Sequence, residues 1–137
     1  MIEKSYTRSA MELIGSAPAI TSDLVVTATA AAAAGVTLTL PAPAAGKFHY
    51  ITSICIQKVY SAVALLGAAP VVVTSTNLGG LAWTFGHAAL GLGQEQIRDH
   101  QFPSPVKSAV AATASTIVCP AQSETMWRVS VHYYTAT

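Results

Sequence analysis

Four histidines, His49, His87, His100 and His132, are the side chains best suited to acid–base chemistry or metal binding. Their spacing supports neither. No two lie four apart, as on one helix face, or two apart, as on one strand face. Asp99 and His100 are adjacent, and neighbours on a strand point to opposite faces. Each histidine therefore reads as a loop or sheet-surface residue. Of the six carboxylates, only Glu95 and Asp99 lie close together outside the N-terminal stretch. They pair with Arg98 or flank it on a loop, a surface arrangement that contributes little. Gly91-Leu92-Gly93 lacks the third glycine and the following helix of a dinucleotide-binding turn. Two Asp and one Asn are too few for a lectin-like calcium site. A cupin-like metal enzyme would need three or four converging ligands. No catalytic residue, metal or cofactor is therefore expected. Cys55 and Cys119 allow one disulfide at most and read as two thiols buried in strands.

The elements that would position any site follow from composition. The chain has 137 residues, which is one domain at roughly 100–200 residues each. Charged residues make up 9%, against roughly 25% in an average soluble domain. Hydrophobic residues make up 52%, and 25 of them are alanine, so small side chains inflate the figure. Seven cations against six anions cannot supply the dense phosphate footprint of a nucleic-acid binder. No run of about 18 strongly apolar residues exists to span a bilayer as a helix. The opening MIEKSYTRSAMELIGSAPA does not fit a secretion signal, because Glu12 interrupts its short apolar run. Synthesis in a cytoplasm is the expectation.

Residues 1–22 differ in character from the remainder of the chain. They carry Glu3, Lys4, Arg8 and Glu12, four of the thirteen charges, and read as an extended N-terminal arm. Residues 23–137 read as strand and turn. Leu24–Thr29 and the alternating Val36–Leu40 are strands, with Val36, Leu38 and Leu40 on one face. Lys47–Tyr60 is the longest strand-like run. Strict alternation places Phe48, Tyr50, Thr52, Ile54 and Ile56 on one face, with Ile51 and Cys55 on the other. Val71–Thr76, the turn Asn77-Leu78-Gly79-Gly80 and Leu81–Phe85 form a hairpin signal. Gln94–Arg98 reads as a short polar strand. Phe102-Pro103-Ser104-Pro105 reads as a stiff extended turn, followed by strands at Val106–Ala111 and Thr116–Cys119. In Thr125–Tyr134, Trp127, Val129, Val131 and Tyr133 line one face. Trp83 and Trp127 read as core residues on apolar strand faces. About eight short strands without a long amphipathic helix predict an all-β, eight-stranded, jelly-roll-like sandwich, with an immunoglobulin-like sandwich as competitor.

Thirteen charges leave a surface made largely of Ala, Ser, Thr and Gly. Either partners cover much of it or it is a smooth Thr/Ser/Ala coat kept in solution by uncharged polarity, and the first is favoured because interface cores of stable assemblies are depleted in charge. The arm fits this view, since an ordered arm needs a surface to lie on. Its Tyr6, Arg8, Met11, Leu13 and Ile14 are the expected contact residues.

Four stretches carry a resemblance. They are Gly46–Ile56 (GKFHYITSICI), Leu81–Phe85 (LAWTF), Phe102–Ser108 (FPSPVKS) and Trp127–Tyr134 (WRVSVHYY), with the lead GVTLTLPAPAAGK at 35–47. Over roughly residues 24–134 the chain resembles small structural proteins of tailed bacteriophages, most of all the jelly-roll cement or decoration proteins of the capsid exterior. The resemblance implies a virion protein on the outer surface of the phage head. It implies a homodimer or homotrimer that clamps neighbouring subunits of the major capsid protein, with no catalytic residue. The arm lies outside it. The alternative is a jelly-roll module of a phage tail or fibre that binds a host receptor or glycan, which calls for a concave site with aromatic and hydrogen-bonding side chains.

Overall fold

A computed structural model of the chain describes residues 24–61, 70–86 and 93–137. The expected arm, with Tyr6, Arg8, Met11, Leu13 and Ile14, lies outside the described residues, as does His87. Eight strands succeed one another: β1 (Leu24–Thr29), β2 (Val36–Leu40), β3 (Phe48–Tyr60), β4 (Val71–Thr76), β5 (Ala82–Phe85), β6 (Glu95–Lys107), β7 (Ser115–Cys119) and β8 (Thr125–Ala136). They build two antiparallel four-stranded sheets, with orders β1-β8-β3-β6 and β2-β7-β4-β5. The protein is a β-sandwich. Its pairing is nested: β1 pairs with β8, β2 with β7, β3 with β6 and β4 with β5. An immunoglobulin-like sandwich would instead seat its first two strands side by side in one sheet. Here β1 and β2 belong to different sheets.

The core forms where the inward faces of the two sheets meet. Leu38 and Leu40 from β2, Val73 from β4, Phe85 from β5 and Ile117 from β7 pack against Ile51, Ile54 and Ile56 from β3 and Trp127, Val129 and Val131 from β8. Trp83 and Tyr133 join them. The alternation expected for β2 and β8 holds residue by residue. Trp127 stands edge-on to Phe85 at 5.3 Å and donates its indole N–H to the Pro120 carbonyl at 2.9 Å. One side of the sandwich is closed by β6 leaning over β5. Gln96 donates to the Gly86 carbonyl at 3.1 Å, and the Arg98 guanidinium lies 5.1 Å from the Phe85 ring centre.

Two expectations need correction, and both trace to one irregularity. On β3, Ile51 is opposite Tyr133 but Ser53 is opposite His132, so one extra residue, Thr52, is inserted. A bulge of this kind reverses the inside–outside alternation. His49 and Ile51 face the core before it, and Ile54 and Ile56 face the core after it, whereas Phe48, Tyr50 and Cys55 face outward. Strict period-two alternation sets Ile51 apart from Ile54, and the bulge unites them. The second correction concerns β6. The segments read as a short polar strand, a turn and a second strand form one strand, Glu95–Lys107. The turn survives as an excursion. Gln101 pairs with Ser53 and Val106 with Ile51, so Phe102–Pro105 bows out of the ladder opposite Thr52 alone. Pro103 and Pro105 have no N–H to give the ladder. The strand expected over Val106–Ala111 ends at Lys107.

Gly35 marks the tightest backbone contact of the described glycines. A methyl there would stand 2.8 Å from the Ala121 nitrogen and 2.8 Å from the Cys119 oxygen, both backbone atoms that cannot swing aside. Gly35→Ala should lower the unfolding free energy by roughly 1–3 kcal/mol, the usual cost of overpacking. Gly86→Ala, where a methyl meets nothing within 4 Å, should stay within about 0.5 kcal/mol of the parent. Urea denaturation of the two variants checks this, and equal midpoints would contradict it.

Candidate functional site

The residues most capable of chemistry end up apart. His49 is fully buried on the inward face of β3. His100 is exposed on β6 and lies 6.3 Å, centre to centre, from both Trp83 and Phe102. His132 is exposed on the outer face of β8. Among the described residues no three of His, Cys, Asp and Glu gather closely enough to hold a metal ion. Glu95 and Asp99 sit on a strand, not a loop. Asp99 is opposite Cys55 and accepts from Gln101 at 3.3 Å, while Glu95 accepts from Gln57. Arg98 pairs with neither carboxylate. It donates to the carbonyls of Ile97 and Thr84, at 3.2 and 3.5 Å.

Both cysteines are free thiols. Cys119 is buried in the core, where desolvation pushes its pKa up to about 12 and keeps it protonated at neutral pH. Cys55 is half-buried on the outer face of β3, which corrects the expectation that both would be buried. Burial and, second, the Asp99 carboxylate raise its pKa. Neither is an activated nucleophile.

The polar groups that are buried serve the fold. His49 accepts from the Ser115 hydroxyl at Nδ1, 2.9 Å away, and donates from Nε2 to the Pro41 carbonyl at 2.9 Å. The carbonyl fixes the tautomer, because it can only accept. Ser115 in turn receives Asn77 Nδ2 at 3.2 Å, and Asn77 Oδ1 accepts the Val110 amide at 2.7 Å. At the other end of β3, Lys58 is also fully buried. Its ammonium donates to the Gly86 carbonyl at 3.3 Å and lies 5.1 and 5.9 Å from the ring centres of Tyr60 and Trp127. Desolvation lowers its pKa. Nothing in the sequence pattern distinguishes this lysine from a surface one.

The outer surfaces are then the candidate site, and they differ. The outer face of the β1-β8-β3-β6 sheet is mixed. At one end Tyr50 and Tyr134 stack at 5.1 Å, with the Lys107 ammonium 3.8 Å from the Phe48 ring centre. At the other end a shallow depression of about 240 Å³ is lined by Thr29, Gln57, Val59, Met126, Trp127 and Arg128. The β2-β7-β4-β5 sheet contains no Lys, Arg, Asp or Glu in any strand. Its outer face presents Thr37 and Thr39, Thr116 and Val118, Val72, Thr74 and Thr76, and Ala82 and Thr84. Every strand-borne charge, namely Lys58, Glu95, Arg98, Asp99, Lys107 and Arg128, belongs to the other sheet. The low total of charges is visible in the sequence. Their segregation needs the strand order. Among the aromatic side chains that could anchor a partner, Tyr6 lies outside the described residues, Trp83, Trp127 and Tyr133 are core residues, and Tyr134 lies on the outer face. Tyr50 and Phe48 escape sequence reasoning as outward residues because the bulge reverses their side.

Neither the protein-family models nor the curated proteins contain a match to the chain.

His49 gives a pH signature. Desolvation lowers its pKa below the ordinary histidine value, more than the Pro41 hydrogen bond raises it. The folded state thus binds a proton less readily than the unfolded chain. The stability His49 contributes is present above the ordinary histidine pKa and is lost as pH falls below it. His49→Gln should cost roughly 1–3 kcal/mol at neutral pH by leaving buried partners unmet. The gap in Tm between parent and variant should shrink as pH falls from about 7.5 to about 5. Thermal melts across that range check this, and a constant gap would count against it.

Proposed function

We propose that this protein is a structural component of a phage particle, a cement or decoration protein that binds the outside of the head and clamps neighbouring major capsid protein subunits. The observation that carries the reading is the two-faced sandwich, with one sheet free of charge along every strand and the other holding all strand-borne charges. A neutral face suits burial in an assembly, and a charged one suits solvent. The nested pairing of first strand with last, second with seventh, third with sixth and fourth with fifth supports the jelly-roll form of the sandwich. The stretches that resemble phage decoration proteins fall on β2 and β3, on β5, on β6 and on β8.

The mechanism is thermodynamic. Pressure from packaged DNA pushes shell subunits apart. A module bound across two subunits stabilises only the assembled shell, and mass action shifts the balance toward the intact particle. Many copies multiply a modest contact through avidity. A rigid sandwich suits the role because little must be ordered on binding. The arm, through Tyr6, Arg8, Met11, Leu13 and Ile14, contacts the shell or a sister subunit.

A second reading, a tail or fibre module for a receptor or glycan, draws on the Tyr50–Tyr134 stack beside Phe48. Copy number separates the two: a decoration protein is a major component of the virion, a tail-tip module a trace one. With the full chain added to undecorated heads, saturating binding and a higher rupture temperature are expected. Removing residues 1–22 should lower occupancy. Unchanged occupancy and heat resistance would refute the role of the arm, and absence of binding by the full chain would refute the capsid reading.

A further inference from the structure

The neutral face of the β2-β7-β4-β5 sheet has a chemistry that matches itself. Across the sheet, Thr37, Val118, Thr74 and Ala82 form one row, and Thr39, Thr116 and Thr76 form the next. Val72 and Thr84 pair beyond the first row. Thr76 and Thr116 share a hydrogen bond at 2.7 Å, so those two hydroxyls are already partnered within the face. Among the described residues, Thr37, Thr39, Thr74 and Thr84 form no side-chain hydrogen bond to protein, and all four are exposed. Val72 is 46% exposed beside them.

A two-fold contact places one patch against a copy of itself. A carboxylate or ammonium near the axis would then meet its own like charge, at a cost of several kcal/mol. A hydroxyl both donates and accepts, so it can partner its own kind. Valine and the threonine methyl groups likewise have no sign to mismatch. The opposite sheet exposes Arg128, Asp99, Glu95 and Lys107, so a contact there must match each charge with an opposite one and desolvate both. We infer that the threonine–valine face of the β2-β7-β4-β5 sheet is the contact between two copies of this chain, packed sheet on sheet about a two-fold axis. The inference rests on the reading of the protein as an assembly component and names the face that joins copies.

The size of the face sets the strength. Four strands at ~4.8 Å and six residues at ~3.3 Å give roughly 400 Å² per copy. That is about half of the roughly 800 Å² per partner of a standard interface, so the dimer is a weak one, micromolar at best, and tightens when many copies crowd one particle.

Sedimentation velocity of the full chain from roughly 1 to 200 µM, the range proper to such a contact, tests this without any capsid. The parent should move from monomer to dimer across the series. Thr37→Lys with Thr74→Lys should weaken dimerisation by about tenfold or more. Thr27→Lys on the opposite sheet should leave it unchanged. Should the lysine variant lose its near-ultraviolet circular dichroism, hydroxyl-radical footprinting of the parent decides instead, with labelling of Val72 and Val118 falling as concentration rises. A parent that stays monomeric, a dimer indifferent to the paired lysines, or constant labelling of both valines would overturn the inference. Capsid binding is measured separately. A lysine variant that stays monomeric yet decorates heads supports the assignment of this face to copies. One that dimerises normally but no longer binds heads assigns the face to the shell and overturns it.

Discussion

The imidazole of His49 holds one end of the sandwich in register. It projects from β3 in one sheet and meets Ser115 on β7 of the other, together with the turn at Pro41 just past β2. Asn77, after β4, completes the link through Ser115 and ties down the Val110 amide. Hydrophobic burial pulls two sheets together but does not fix how they slide, because it lacks direction. Hydrogen bonds in a low-dielectric interior supply that direction, and leaving one unmet is expensive. With the sheets registered here, Ile51 and Tyr133 pack against the opposite layer. At the far end of β3, Lys58 reaches across to the Gly86 carbonyl after β5. One strand thus carries two polar ties between the layers, one near each of its ends.

Those ties lie inside, and they free the exterior from structural duty. The β2-β7-β4-β5 sheet needs no charge to stay folded, since its inward residues Leu38, Leu40, Val73, Phe85 and Ile117 are anchored in the core. Its outward positions are therefore open to selection for contact. The other sheet carries the load of solubility. A monomer that spread its few charges evenly would gain more protection against association than this one does. The segregated layout is what the proposed role in a larger assembly would call for.

Much of the fold is legible from residue types. Period-two alternation sets β2 and β8 correctly, and the Asn-Leu-Gly-Gly turn sets the β4–β5 hairpin, because each signal is local. The face assignment of β3 fails at Thr52, since a bulge adds one residue without any marker in composition. β6 reads as divided because two prolines look like a break, and only the partner strand shows that the ladder resumes at Val106. The burial of Lys58 and His49 is illegible for a related reason. A polar residue in the core is decided by what the opposite sheet offers, here two carbonyls and a hydroxyl. Scarcity of charge is plain in the sequence, but its confinement to one sheet depends on strand order, a long-range property.

The bowed stretch Phe102–Pro105 has a consequence for crowding. β6 is one of the two edge strands of its sheet, and an exposed strand margin is a template on which a stranger can zip into a fibril. Two imino acids within four residues delete amide donors from that margin, and the bow breaks its straightness. Copies brought close together are thereby hindered from adding strand to strand along β6.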